Sequence, residues 1–306
     1  MKTDCFFPPE GYVLGIPGGP ILPQQIFRSP LMERRLQAGK NRYSLVYSAV
    51  APSGQKLALA VICAGLLDTV GVLCVEEGKL SHTRSDDANA LVWTPFDAAD
   101  AVIVQIARQY RLPALVDLET HSVVSNDPYT LPYKIIFDLG SEHDSNDDVL
   151  NAARMRRDDH VAIEQDLFYN LHAAVYRSGF LDGQASYDAE VAKVYDYLHR
   201  LDATLVNERY LAGDALSIAD LWLFSLLIRY DNVYATAFRL HKYRLRDFSG
   251  IWRYVRRLYQ KEAFCLTTNF DVISRGYFIG IPALNRGVVP RGPDDLFLSE
   301  KYGRMK

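Results

Sequence analysis

The stretch Arg42–Val61, RYSLVYSAVAPSGQKLALAV, decides the fold. Its first part, YSLVYSAV (43–50), is rich in apolar and β-favouring side chains and reads as a buried strand. Pro52 suits the first position of a helix, where a missing N–H costs nothing. From Gln55 the apolar residues of QKLALAVICAGLL return at helical spacing, and TVGVLCV (69–75) is a second β-rich run. This is a β-α-β unit with a sharp turn after its first strand. Such turns often carry a reactive group, yet this one offers Ala51, Ser53 and Gly54.

Further along, DAADAVIVQIARQY (97–110) reads as an amphipathic helix. LPALVDLETHSVVS (112–125) reads as two short strands joined by a polar turn, and DPYTLPYKIIFDL (127–139) as a helix with an acid and a proline at its start. The order βαβ–α–ββ–α predicts an α/β thioredoxin-like domain. Beyond the polar, acidic segment SEHDSNDD (141–148) the chain reads as all-α, in four segments (161–180, 187–206, 217–238 and 249–264) with apolar residues three and four apart. The reading divides the chain into an arm (1–40), a thioredoxin-like domain (41–140), a linker (141–154), a helical domain (155–270) and a tail (271–306) packing back on the body. Ser217 and Asp220 form a predicted capping box: the serine oxygen takes the N–H of residue 220, and the carboxylate takes the N–H of Ser217.

Composition narrows the function classes. The chain of 306 residues is 49% hydrophobic and 23% charged, with a net charge of −3. That balance argues against a general nucleic-acid binder, and basic runs such as RMRRDD (154–159) and RYVRRLY (253–259) read as solvated helix faces. No apolar run approaches the roughly 18 residues of a membrane span, and MKTDCFFPPEGY lacks the apolar core of a signal peptide. Cys5, Cys63, Cys74 and Cys265 show no metal or disulfide spacing, and His172, His199 and His241 stand singly, so no metal and a reducing cytoplasm are expected.

A thioredoxin-like domain followed by helices is the layout of glutathione transferases. VYRSGF (175–180), the run 209–234, LRDFSGIWRYVRRLYQ (245–260) and TTNFDVISRGYF…NRGVVPRGP (267–293) resemble the Xi class, the glutathionyl-hydroquinone reductases. That resemblance implies a homodimer and a glutathione site with a cis-proline at Pro113, after Leu112. The family turn reads like S-x-x-C-P-W-A. Here Ser48 is followed by Ala51, Pro52 and Ser53, so alanine stands at the position of the nucleophilic cysteine and serine at that of tryptophan. Cys63 cannot substitute: it lies twelve residues beyond Ala51 on the same predicted helix, about 18 Å away.

The glutathione-holding Glu-Ser pair corresponds to Asp127 and Pro128. Proline supplies neither the hydroxyl nor the N–H of the serine. The acceptor side fits better. Tyr176 and Tyr277 match tyrosines that hydrogen-bond the oxygen of an aromatic substrate, and Arg229, Tyr230, Asp231 and Tyr234 match a second polar-aromatic cluster. The expectation is therefore an enzyme that adds a low-molecular-weight thiol (glutathione, cysteine or a persulfide) to an electrophilic cyclic or aromatic molecule. Ser53, Tyr176 and Tyr277 are the expected catalytic residues. Ser48, Ala51, Pro52, Leu112, Pro113 and Asp127 would hold the thiol; Arg229, Tyr230 and Tyr234 would line the acceptor pocket. The alternatives are an inactive ligand-binding or scaffold member and a cysteine-independent reductase.

Overall fold

The computed structural model describes residues 26–82, 90–140, 157–281 and 285–293. The chain divides into two compact units, with the boundary at Asp158–Asp159.

In the first unit, strands β1 (Tyr43–Tyr47), β2 (Val70–Cys74), β3 (Gly78–His82), β4 (Leu91–Thr94), β5 (Ala114–Asp117) and β6 (Ser122–Ser125) form one sheet. Their order is β4-β3-β2-β1-β5-β6. β1 runs parallel to β2, with Tyr47 opposite Cys74, and antiparallel to β5, with Val46 opposite Ala114. All five residues of β1 are buried, the pattern of a central strand covered on both faces. Helices α1 (Pro52–Cys63), α2 (Ala98–Ala107) and α3 (Leu131–Leu139) accompany the sheet. The β3–β4 hairpin escapes the sequence reading because GKLSH carries Lys, Ser and His and is only partly buried.

Gly54 sets how closely α1 approaches β1. A Cβ there would lie 2.8 Å from the Ser48 carbonyl oxygen and 3.1 Å from the Tyr47 ring. The turn therefore packs directly on the end of the strand, and only a hydrogen fits.

The second unit contains α4 (Arg157–Leu167), a wide π-helical turn (Phe168–His172), α5 (Ala173–Phe180), α6 (Gln184–Asn207) and α7 (Ile218–Leu227). A second π turn (Tyr230–Tyr234), the short α8 (Ala235–Ala237), α9 (Ser249–Tyr259), α10 (Glu262–Leu266) and α11 (Phe270–Gly280) follow. Every residue of α7 is buried. Its capping box forms as the spacing predicts: Asp220 N–H donates to Ser217 Oγ at 3.3 Å, and Ser217 N–H donates to Asp220 Oδ2 at 2.9 Å. Asp220 also accepts from Leu211 N–H at 2.9 Å and from the Tyr254 hydroxyl at 3.0 Å. Burial pushes its carboxyl upward, and these donors oppose the shift.

The basic run of α9 is exposed at Arg253 and partly exposed at Arg256 and Arg257, and it also makes specific bonds: Arg253 donates to the carbonyls of Leu205 and Val206, both at 2.7 Å, and Arg257 to that of Arg209. Arg253 thereby satisfies carbonyls in the last turn of α6 that have no helical partner. The segment after residue 270 belongs to α11, where Ile273, Tyr277 and Phe278 are buried. The linker segment 141–154 lies outside the described residues.

Replacing Asp220 by alanine would leave three buried donors without an acceptor. The expected loss is about 3–5 kcal/mol, read as a lowered urea midpoint.

Candidate active site

The register brings several predicted residues of the first unit to one edge of the sheet. β1 ends at Tyr47, β5 begins at Ala114 opposite Val46, and β6 ends at Ser125 opposite Leu115. The turn Ser48–Ser53, the Leu112–Pro113 bond and Asp127 therefore lie along the same edge. The Leu112–Pro113 peptide is cis, as the resemblance implies.

Ala51 is the N-cap of α1 and contributes no side-chain cap. Pro52 has no N–H, and the amides of Gly54 and Gln55 turn back to the Ala51 carbonyl at 3.1 and 3.2 Å. The half-buried Ser53 keeps its amide and its hydroxyl without a hydrogen-bond partner among the described residues. Ser48 is differently placed. Its hydroxyl donates to Glu76 Oε1 at 2.5 Å, while Glu76 Oε2 accepts from Ala49 N–H at 3.0 Å and from Cys74 Sγ at 3.3 Å. Glu76, which the sequence reading did not single out, thus ties the turn to the end of β2.

The same carboxylate governs Cys74. Burial, reinforced by the negative charge of Glu76, pushes that thiol up to about 12, so it remains protonated at neutral pH. Cys63 is half-buried at the far end of α1, and Cys265 is exposed. Among the described residues no group of three or more His, Cys, Asp or Glu side chains could hold a metal ion.

Asp127 is fully buried. Oδ1 accepts from Tyr129 N–H at 2.9 Å; Oδ2 accepts from the Thr130 hydroxyl and from Arg28 Nε and Nη2 at 2.9 and 2.6 Å. The carboxylate therefore anchors the segment before β1 and the approach to α3. Lys56, buried in α1, lies over the Tyr129 ring at 5.5 Å.

In the second unit, three tyrosines from separate segments meet. The Tyr176 and Tyr277 hydroxyls are 2.5 Å apart, and those of Tyr234 and Tyr277 are 3.4 Å apart. The Phe238 ring lies 4.7 Å from Tyr176 and 5.4 Å from Tyr234. Burial pushes Tyr176 and Tyr234 well above the ordinary phenol value, with the buried Arg229 opposing it. Both stay neutral. The three buried hydroxyls bond to one another.

Each π turn adjoins this cluster. One precedes α5, which carries Tyr176, and the other closes at Tyr234, whose N–H reaches the Arg229 carbonyl at 3.0 Å. Tyr230 does not join it. Its charged neighbours are Asp231, Arg244 and Asp247, and its aromatic neighbour is Tyr195. Its place in the acceptor pocket therefore has no support from the geometry. Arg229 sits beside the cluster, with Nη1 donating to the Ser225 carbonyl.

A thioredoxin-like sheet with a cis-proline at the active edge, joined to a helical unit, defines a glutathione transferase. Residues 165–262 match the family model for the glutathione S-transferase C-terminal domain. The glutathionyl-hydroquinone reductase YqjG of Escherichia coli K12 is 33% identical over 284 residues, covering 87% of this chain and 84% of YqjG. The glutathione-bound structure of YqjG superposes with a TM-score of 0.68 at 28% identity, covering 87% of this chain and 89% of that one. A Xi-class transferase from Natrialba magadii gives a TM-score of 0.69 at 27% identity, covering 86% and 83%. The chain belongs to the Xi-class glutathione transferases, the glutathionyl-hydroquinone reductase family. No described helix is long and apolar enough to cross a membrane.

Asp231 provides a pH-dependent prediction. Burial, partly offset by the Leu245 N–H and by Arg244, raises its carboxyl from 3.8 to about 6. A raised acid favours the fold while protonated, so the contribution is fully present below pH 4 and is lost as pH rises toward 6. Asp231→Asn keeps an acceptor for Leu245 N–H. It should gain about 1–3 kcal/mol at pH 7.5 and almost nothing at pH 3.5, read by denaturant titration at both pH values.

Proposed function

We propose that this chain is a transferase that joins an external low-molecular-weight thiol to an electrophilic cyclic or aromatic molecule, instead of using a cysteine of its own. The observation that carries the reading is the turn at α1. Alanine occupies the N-cap, where the family resemblance places the nucleophilic cysteine, and the next hydroxyl, Ser53, has no described partner. Alanine has no group that can attack sulfur, and Cys74 is held protonated.

A free thiol has a pKa near 8.5, and making it mostly thiolate at pH 7 needs a shift of about two units, or about 2.7 kcal/mol. A helix N-terminus typically supplies about 0.3–1 kcal/mol. The Ser53 hydroxyl and amide are suited to supply the remainder as donors to sulfur. In the addition, the S–C bond forms from the thiolate pair while the acceptor's π pair (in a quinone or ketone) or a breaking C–O bonding pair (in an epoxide) moves onto its oxygen. The thiol proton ends on that oxygen. Phenol groups such as those of Tyr176, Tyr234 and Tyr277 are donors of the kind such an oxygen needs. Quinones, epoxides and activated cyclic ketones fit this requirement. The glutathione-bound structure of YqjG supports a glutathione-type co-substrate; a small-molecule acceptor, a homodimer and a cytoplasmic setting complete the proposal.

A second reading, glutathionyl-hydroquinone reduction, is favoured by the identity with YqjG. The two separate experimentally. Ser53→Ala should lower the rate of thiol addition about ten- to a thousand-fold, followed as loss of thiol with a quinone acceptor; an unchanged rate would remove Ser53 from the mechanism. Ala51→Cys should create cleavage of glutathionyl-hydroquinone that the natural chain performs slowly or not at all. Fast cleavage by the natural chain would establish the reductase reading instead.

A further inference from the structure

The segment before β1 is bound to the edge strand of the sheet at the end where the donor turn lies. Phe27 N–H donates to Asn126 Oδ1 at 2.6 Å, Asn126 N–H to the Phe27 carbonyl at 3.1 Å, and Ser29 N–H to the Val124 carbonyl at 2.9 Å. The Ser125 hydroxyl also donates to the Phe27 carbonyl, at 2.8 Å. This seam fixes Arg28 over Asp127, two of its nitrogens bonding one carboxylate oxygen. The members of the pair differ in what they show to solvent: 37% of the Arg28 side chain is exposed and none of Asp127.

A ligand arriving at this edge therefore meets the guanidinium and not the carboxylate. Asp127 already accepts from Tyr129, Thr130 and Arg28, so it has little capacity left for an ammonium group. Pro128 offers no N–H. We infer that Arg28 is a specificity-determining residue of the donor site, where it receives a carboxylate of the thiol substrate, with no requirement for that substrate's amine.

The sheet sets the reach. β1 and β6 are separated by β5, so the donor turn and the Asp127 end of β6, where the Arg28 guanidinium is bonded, are two strand spacings apart, about 10 Å. A carboxylate on the same residue as the sulfur cannot bridge this span, since one extended residue covers about 3.5 Å. The donor class is thus a peptide-like thiol with a carboxylate about three residue lengths from sulfur, and free cysteine is too short. This rests on the donor site proposed above but not on the addition chemistry.

The test is calorimetric titration of the full chain with S-methylglutathione, its N-acetyl derivative, its γ-glutamyl α-carboxamide and S-methylcysteine. These probes cannot react through sulfur. Capping the amine should change Kd by less than about threefold, whereas amidating the carboxylate should weaken binding about tenfold or more. S-methylcysteine should not show Arg28-dependent binding. Arg28→Gln should bring S-methylglutathione to the level of the carboxamide, and Arg28→Lys should retain most of the affinity. Because Arg28→Gln leaves Asp127 buried and unpaired, Arg28→Gln/Asp127→Asn serves if the single variant does not fold. Asp127→Asn alone, which keeps the arginine, should bind S-methylglutathione more tightly than the double variant does.

A larger loss from capping the amine, unchanged binding in Arg28→Gln, or no binding by any probe would overturn the inference. Arg28-dependent binding with no product in the addition assay would overturn the catalytic proposal and leave this one standing.

Discussion

Strand β1 is hydrogen-bonded on both sides, parallel to β2 and antiparallel to β5, and the candidate donor site depends on that double ladder. Because β1 cannot slide without breaking both sets of bonds, its end holds Ser48 and the N-cap Ala51 in register with Pro113. Gly54 lets α1 start within van der Waals contact of the strand. Glu76 then fastens the turn from the β2 side through Ser48, Ala49 and Cys74. The result is a turn whose backbone is fixed and whose Ser53 donors remain unused.

The helical unit depends in the same way on one buried carboxylate. Asp220 joins the start of α7 to Tyr254 on α9 and to Leu211 in the preceding loop, so a wholly buried helix has its first turn satisfied without water. On that framework the two π turns help to carry Tyr176 and Tyr234 into contact with Tyr277 of α11. Hydroxyls that would each be costly to bury alone satisfy one another.

The relationship to YqjG spans most of both chains, and the N-cap of α1 in this chain is an alanine whose side chain makes no bond. A methyl group there supplies no nucleophile. The remainder of the turn is compatible with an external thiol occupying the space.

Several features were legible in the sequence because they are local. The strand, proline and helical period of residues 42–61 gave the β-α unit, and the spacing of Ser217 and Asp220 gave the capping box. Pro113 before an apolar strand marked the active edge, and the motifs around Tyr176 and Tyr277 marked the family. The β3–β4 hairpin was not legible, since its polar, half-buried residues lack a clear period. Nor were the roles of Glu76 and Arg28, whose partners lie 28 and 99 residues away. Tyr230 and Tyr234 are four residues apart and looked equivalent, but only one reaches the tyrosine chain. The sequence by itself determined which groups are available: an alanine and two serines around the turn after β1, and tyrosines in the motifs around 176 and 277. Only the tertiary structure decided which are free to act, because a hydroxyl or carboxylate is available to a ligand only when no neighbour brought in by the fold already holds it.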